Sequence, residues 1–308
     1  MPGLHSGPHT RAGLFLLASL TSLGGCTSSP ARLEQLTHQQ NHRLATLPTS
    51  QFDLRVALPN APQPDSRLRV YLEGDGRAWI TATQPSLDPT PRDLLLARLA
   101  LSDPRPSVYL ARPCQFIQSP GCGPQYWTQR RFSQEIVANL SEALDQLQQH
   151  HGNRDFELIG YSGSGALILL LAAARDDIAQ VQTLAGNLSP RRWAERLELE
   201  PLHGSLEPLD FAERLRALPQ RHLAGNEDQV VPASLLEDYA ARLGPADCLE
   251  LQRLDGVSHR AGWLERWQHW RDRPIECRTA REQASGRFEN QRADSPADAA
   301  APPPATAP

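Results

Sequence analysis

A mostly parallel β-sheet covered by helices on both faces, an α/β architecture, is the fold class this sequence predicts. Three observations lead there. Short apolar, β-rich runs alternate with longer amphipathic stretches along most of the chain, the pattern of successive βα units. One such run, Phe156 to Gly160, passes through a Gly- and Ser-rich turn straight into the helix-forming segment Ala166 to Arg175, so strand, turn and helix follow without a break. The 308 residues, 40% hydrophobic and 21% charged, suffice for one sizeable core and one main domain. A net charge of -4 with scattered arginines offers no field for nucleic acid, and that class of partner is excluded.

The N-terminal residues stand apart. Leu14 to Leu23 form an apolar run after Arg11 and before Gly24, Gly25 and Cys26. This run is too short to span a bilayer, but it has the length and the small-residue ending of a secretory signal peptide. Leu23-Gly24-Gly25-Cys26 resembles the lipobox of bacterial lipoproteins. The resemblance implies removal of residues 1–25 and lipidation of Cys26, which holds a chain to a membrane without a spanning helix. With Thr27 rather than Asp after Cys26, it further implies the outer membrane, facing the periplasm.

Residues 26–49 are polar, Gln- and His-rich and weakly patterned, and read as a tether with room for a short helix. Residues 50–278 carry the domain. Phe52 to Leu58 and Leu68 to Leu72 are expected to form an N-terminal hairpin. Ser107 to Ala111, Phe156 to Gly160, Val181 to Ala185, Arg221 to Ala224 and Leu249 to Leu254 are strand candidates by length and flanking turn residues. Between them Asp93 to Leu101, Phe132 to Gln149, Ala166 to Arg175, Ala233 to Leu243 and Ala261 to Trp270 place apolar residues at helical spacing. Residues 279–308 are charged and then Ala- and Pro-dominated, a composition that cannot offset ordering entropy, and are expected to be disordered.

Export makes the remaining cysteines an even set in an oxidising compartment. Cys114, Cys122, Cys248 and Cys277 allow three pairings, of which proximity favours Cys114 with Cys122 and Cys248 with Cys277. A zinc site is the rival, without a paired CxxC or a neighbouring His to support it.

The turn after Phe156 to Gly160 is Tyr161-Ser162-Gly163-Ser164-Gly165. A serine presented on a tight strand-to-helix turn adopts a strained backbone, and small residues two before and two after it are needed to avoid clashes. Gly160 and Ser164 meet that need, with Ser164 standing where the strict G-x-S-x-G pattern has Gly. The alternative, a phosphate-binding loop, lacks the following Lys, and the glycine spacing is not that of a dinucleotide fold.

A serine hydroxyl is a weak nucleophile without an adjacent base that is itself oriented by a carboxylate. Leu223 to Pro232 ends a strand and carries Gly225, then Glu227 and Asp228, then Val231-Pro232; it resembles the acid loop of α/β-hydrolases, which implies Asp228 as the acid with Glu227 the alternative. Asp255 lies too close before the candidate base. That base is His259, which follows the last strand and precedes the terminal helix, whereas most other histidines fall in the leader, the tether or at helix ends. In that fold two N–H groups stabilise an oxyanion, and the resemblance implies Gly163, after the serine, and Asp75, with Gly76 next, in the Gly-containing turn that ends Leu68-Arg69-Val70-Tyr71-Leu72-Glu73-Gly74.

The order Ser162, Asp228, His259 is that of α/β-hydrolases, and the chain resembles a family of bacterial α/β-hydrolase lipoproteins over most of residues 50–278. Tyr71-Leu72-Glu73-Gly74-Asp75-Gly76, Tyr109-Leu110-Ala111-Arg112-Pro113-Cys114-Gln115, Gly160-Tyr161-Ser162-Gly163 and Ala185-Gly186-Asn187-Leu188 carry the likeness, with Glu73 where many hydrolases have His. It implies that Arg112, Trp127, Asn187 and the segment from His203 to Asp210 lie near the site. The activity expected is ester hydrolysis through an acyl-enzyme on Ser162, acting on a small-molecule or lipid acyl substrate. Neither a metal nor an organic cofactor is required, and the protein is expected to be a monomer. An acyltransferase on the same scaffold and a non-catalytic envelope binding module are the alternatives.

Overall fold

The structure, a computed structural model, describes residue 3 and residues 28–60, 66–81 and 83–277. The expected leader, Cys26 and the tail fall outside them. Strands β1 (His42–Pro48), β2 (Asp53–Pro59), β3 (Arg67–Leu72), β4 (Ser107–Leu110), β5 (Asp155–Tyr161), β6 (Ile178–Leu184), β7 (Gln220–Gly225) and β8 (Leu249–Leu254) form one sheet. Their spatial order is β1-β2-β4-β3-β5-β6-β7-β8. β1 is antiparallel to β2 and β2 to β4, while the remaining pairings are parallel.

Side chains of successive strand residues point to opposite faces, and here both faces are covered. Leu68, Val70, Leu72, Val108, Leu110, Phe156 and Leu158 belong to one apolar cluster with α3 (Gln134–His151), α4 (Ser164–Ala174), α6 (Ala212–Arg216) and α7 (Ser234–Leu243). Tyr71, Tyr109, Ile159, Leu184 and Leu223 belong to a second with α1 (Ser29–Gln39), α2 (Leu95–Leu101) and α8 (Trp263–Trp270). Double coverage explains the short apolar runs inside the inner strands, Val70 to Leu72 in β3 and Leu158 to Gly160 in β5. Helix α4 is apolar all round, and most of its residues are buried, because it lies against the sheet beneath α3 and α6.

One group of interior ionic side chains gathers around the C-terminal segment. Arg69, 1% exposed, pairs with Glu157 at 3.0 Å, Asp103 at 3.1 Å and Asp272 at 2.8 Å, and donates to the Arg271 carbonyl. Arg221 donates to the carbonyls of Trp270, Arg273 and Pro274. Cys248 is bonded to Cys277 and Cys114 to Cys122, the pairing that proximity favours.

The predicted βα units lie where the sequence places them, with ends matching or shifted by up to three residues. Two expectations are corrected. Most of the segment read as a tether is ordered, with α1 followed by β1, an edge strand paired along its whole length with β2. Burial of Leu33, fully enclosed against the second cluster, gives α1 the support its Gln- and His-rich composition does not advertise. The expected hairpin of β2 with β3 does not form, because β4 inserts between them: β2 pairs with β1 and β4, and β3 becomes an inner parallel strand beside β4 and β5. Sequence reading also missed α5 (Pro190–Arg196) and α6. Among the described residues no helix is long and apolar enough to cross a membrane, and no group of three or more His, Cys, Asp or Glu side chains is placed to hold a metal ion.

Candidate active site

Ser162 sits at the carboxyl end of β5 with φ of 53°, in the left-handed region that a non-glycine residue enters at a cost. The surroundings enforce it. The Ser162 N–H donates to the Leu184 carbonyl at 3.1 Å, and its own carbonyl accepts from Asn187 and Gly165 at 2.9 and 3.0 Å. At Gly160 a Cβ would come within 2.6 Å of the Ser164 carbonyl oxygen, so only glycine fits there. Ser164, the departure from the strict pattern, is fully buried, and its hydroxyl donates to the Glu73 carbonyl, tying the turn to the end of β3.

The loops after β7 and β8 bring the other two residues to the serine. Asp228 is buried, and its Oδ1 accepts from the N–H groups of Val230 at 2.8 Å and Val231 at 2.9 Å. Its Oδ2 lies 2.8 Å from His259 Nδ1, and His259 Nε2 lies 3.0 Å from Ser162 Oγ. Hydrogen bonds to the His259 carbonyl from the Tyr161 hydroxyl at 2.8 Å and from Trp263 Nε1 at 3.1 Å fix the imidazole's backbone. A carboxylate, an imidazole and a hydroxyl thus form one relay, in which the ring can take the serine proton while the carboxylate holds its orientation. Glu227, the alternative acid, is exposed, and Asp255 is bound to Asn226.

The turn after β3 closes the site from the other side. Gly74 passes so near the Ser162 turn that a Cβ on it would lie 3.0 Å from the Tyr161 carbonyl oxygen and 3.2 Å from Ser162 Cβ. Gln115 fastens the turn by donating to the Gly74 carbonyl at 2.9 Å, and the Gly74 N–H donates to Glu73 Oε1 at 2.9 Å. Burial pushes the Glu73 carboxyl up to about 7, although the Gly74 N–H and the Tyr109 hydroxyl both donate to it. The N–H groups of Asp75 and Gly163, the expected oxyanion donors, give no hydrogen bond to another group among the described residues. The Asp75 side chain has a separate connection: its carboxylate lies against Gly163 and pairs with Arg112 and Arg131. Burial pushes that carboxyl up, but the Arg131 and Arg112 guanidiniums outweigh burial and hold it below the ordinary carboxylate value.

Of the residues that the resemblance placed nearby, Arg112 reaches the site through Asp75 and Asn187 through its N–H to Ser162. Trp127 is a buried anchor, donating to the Ser86 carbonyl at 3.1 Å. The segment from His203 to Asp210 packs on the stretch before α3, with Leu206 donating to the Phe132 carbonyl and Ser205 to that of Gln129. Sequence reasoning missed Arg131 and Trp193; neither lies in a motif, and only the fold brings them to Asp75 and to the acid loop, where Trp193 Nε1 donates to the Val230 carbonyl at 2.8 Å.

No protein-family model and no curated protein matches the chain. Solved structures do. The Pyrococcus furiosus esterase Pf2001 is similar at 11% identity with a TM-score of 0.54, over 86% of this chain and 96% of that one. Est1E from Butyrivibrio proteoclasticus is similar at 13% identity and TM-score 0.51, over 82% of this chain and 99% of that one. A cold-adapted esterase from an Arctic intertidal metagenomic library is similar at 17% identity and TM-score 0.51, over 82% and 93%. At such identities the likeness is one of fold, and the chain has the α/β-hydrolase fold.

Proposed function

We propose that this α/β-hydrolase-fold protein is a serine hydrolase that cleaves a carboxylic ester or lipid acyl substrate. The observation that carries the reading is the single imidazole of His259 bridging Ser162 Oγ at 3.0 Å and Asp228 Oδ2 at 2.8 Å. As Ser162 Oγ attacks the ester carbonyl, His259 Nε2 accepts its proton, and the carbonyl oxygen, now an oxyanion, takes hydrogen bonds from the Gly163 and Asp75 N–H groups. Collapse of the tetrahedral species returns the proton to the departing alcohol and leaves an acyl group on Ser162. Water, deprotonated by the same imidazole, then repeats the attack and releases the acid. Similarity to solved structures named as esterases lends support.

The test is hydrolysis of p-nitrophenyl esters of increasing acyl length by the purified protein and by Ser162→Ala. Turnover by the former and a loss of about 10³-fold or more in the latter is the expected result. Equal rates in the two proteins, or no turnover of any ester, would sink the proposal.

The proposal extends to location: Cys26 carries a lipid that holds the protein to the envelope membrane. Its support is the Leu23-Gly24-Gly25-Cys26 pattern together with the surface of the loop after β3. Arg32, on the helix that follows Cys26, donates to the Arg92 carbonyl at the end of that loop. Trp79 pairs with Pro85 across the loop, and Trp79 and Leu87 are 38% and 87% exposed. An exposed tryptophan and leucine in a loop that also contacts α1 suit a membrane interface. Cys26→Ser is expected to shift the protein from the membrane to the soluble fraction, and an unchanged distribution would count against the anchor.

A further inference from the structure

Two buried guanidiniums meet one carboxylate beside the proposed nucleophile. Arg112, just past β4, and Arg131, just before α3, are each 4% exposed. Arg112 Nη1 pairs with Asp75 Oδ1, and Arg131 Nη1 lies 3.2 Å from Asp75 Oδ2. The same carboxylate rests against Gly163, the residue after Ser162. Arg112 is further engaged, its Nη2 donating to the Arg131 carbonyl. Glu73, the next buried carboxylate, is taken up by the Gly74 N–H and the Tyr109 hydroxyl.

Arg131 is less well satisfied. Its Nε is buried without a hydrogen-bond partner, and its guanidinium stands over the rings of Phe132 and Trp193, 5.5 and 5.3 Å from their centroids. A buried donor left unmade costs roughly 1–3 kcal/mol, more when it is charged, and a buried cation is tolerated only when it is paired and its remaining protons are bonded. One carboxylate shared between two guanidiniums leaves that requirement half met. A second anion would complete it. With Nη1 turned to Asp75, the guanidinium still offers Nε, and arginine's planar fork suits a carboxylate or a phosphate.

We infer that Arg131, with Arg112 behind it, binds an anionic group of the substrate, a carboxylate or a phosphate, a few bonds from the ester carbonyl. The inference rests on the proposed role of Ser162, because it is the contact of Asp75 with Gly163 that sets Arg131 beside the reacting carbonyl. Asp75 then serves twice: its N–H faces the oxyanion, and its side chain holds the arginines that read the substrate. Trp193 stacks over the guanidinium.

The experiment compares mono-p-nitrophenyl glutarate with p-nitrophenyl pentanoate, esters of equal acyl length that differ in one terminal carboxylate. The native protein is expected to favour the glutarate about tenfold or more in kcat/KM, chiefly through KM, as a charge-assisted hydrogen bond allows. Arg131→Gln should bring the ratio close to one, and Arg131→Lys, which keeps the charge without the fork, should restore part of it. A native ratio of one or below, or a ratio unchanged in Arg131→Gln, would overturn the inference. Calorimetric titration of Ser162→Ala with monomethyl glutarate, dimethyl glutarate and inorganic phosphate reads binding without turnover. Heat with the monoester or phosphate but not with the diester supports the anion site and names its anion. Heat with none of them, or equally with the diester, overturns it. Because this arm needs no chemistry at Ser162, it separates a failed anion site from a failed hydrolase reading.

Discussion

The carboxylate of Asp75 fills the space beside Gly163: a Cβ on Gly163 would fall 2.1 Å from Oδ1 and 2.6 Å from Cγ. The N–H groups of these two residues are the proposed oxyanion donors, so a methyl group at position 163 must drive the turn after β3 and the Ser162 turn apart. Gly163→Ala is expected to lower kcat by about 10²-fold or more, the cost of losing an oxyanion donor. The check is steady-state kinetics together with a melting curve showing that the variant remains folded.

Asp228 uses both oxygens, one on the Val230 and Val231 N–H groups and one on His259. Asp228→Asn keeps the size of the side chain but can present an N–H to the imidazole, favouring the wrong tautomer. A drop in kcat of about 10³- to 10⁴-fold is expected. Glu227→Gln, at an exposed neighbour outside this arrangement, should stay within about twofold of the native rate. Ester kinetics of the pair decides between the two acids.

Glu73 supplies a pH signature. Burial raises its carboxyl from 4.5 to about 7 in the folded chain, so between those values the native state holds a proton that the unfolded state has lost. The contribution of this group is therefore complete at low pH and fades as pH rises from 4.5 through about 7, by roughly 3 kcal/mol in all. His222, fully buried and pushed down to about 3 by burial, acts in the opposite sense below its ordinary value of 6.5 and partly masks the slope. The difference between native protein and Glu73→Gln in urea unfolding isolates Glu73, and the variant should gain relative stability as pH rises from 5 to 8.

The bond between Cys248 and Cys277, 29 residues apart, staples β8 to the segment that Arg69 and Arg221 also hold. Replacing both cysteines with serine is expected to lower the unfolding free energy by about 2–4 kcal/mol. Urea titration under non-reducing conditions measures the loss.

Much of this was legible in the residues themselves. Burial on both faces left Val70 to Leu72 in β3 and Leu158 to Gly160 in β5 as short apolar runs, and the strained turn at Ser162 demanded small neighbours that the sequence displays at Gly160 and Ser164. Position in the βα order was enough to place Asp228 and His259. Strand pairing was not, because β2 and β3 are neighbours in sequence while β4, more than thirty residues later, enters between them through tertiary contacts. Helix α1 draws its order from burying Leu33 and β1 from pairing with β2, neither of which leaves a strong local pattern. Arg131 was invisible for a similar reason: in a chain with arginines throughout, only the fold brings it to Asp75.

The central claim concerns Ser162, and covalent labelling tests it most directly. Intact-mass and peptide-mass analysis of the purified protein after treatment with a fluorophosphonate is expected to show one adduct, on the peptide that carries Ser162, and none on Ser162→Ala. Equal labelling of both proteins, or no labelling of a correctly folded native protein, would contradict the account.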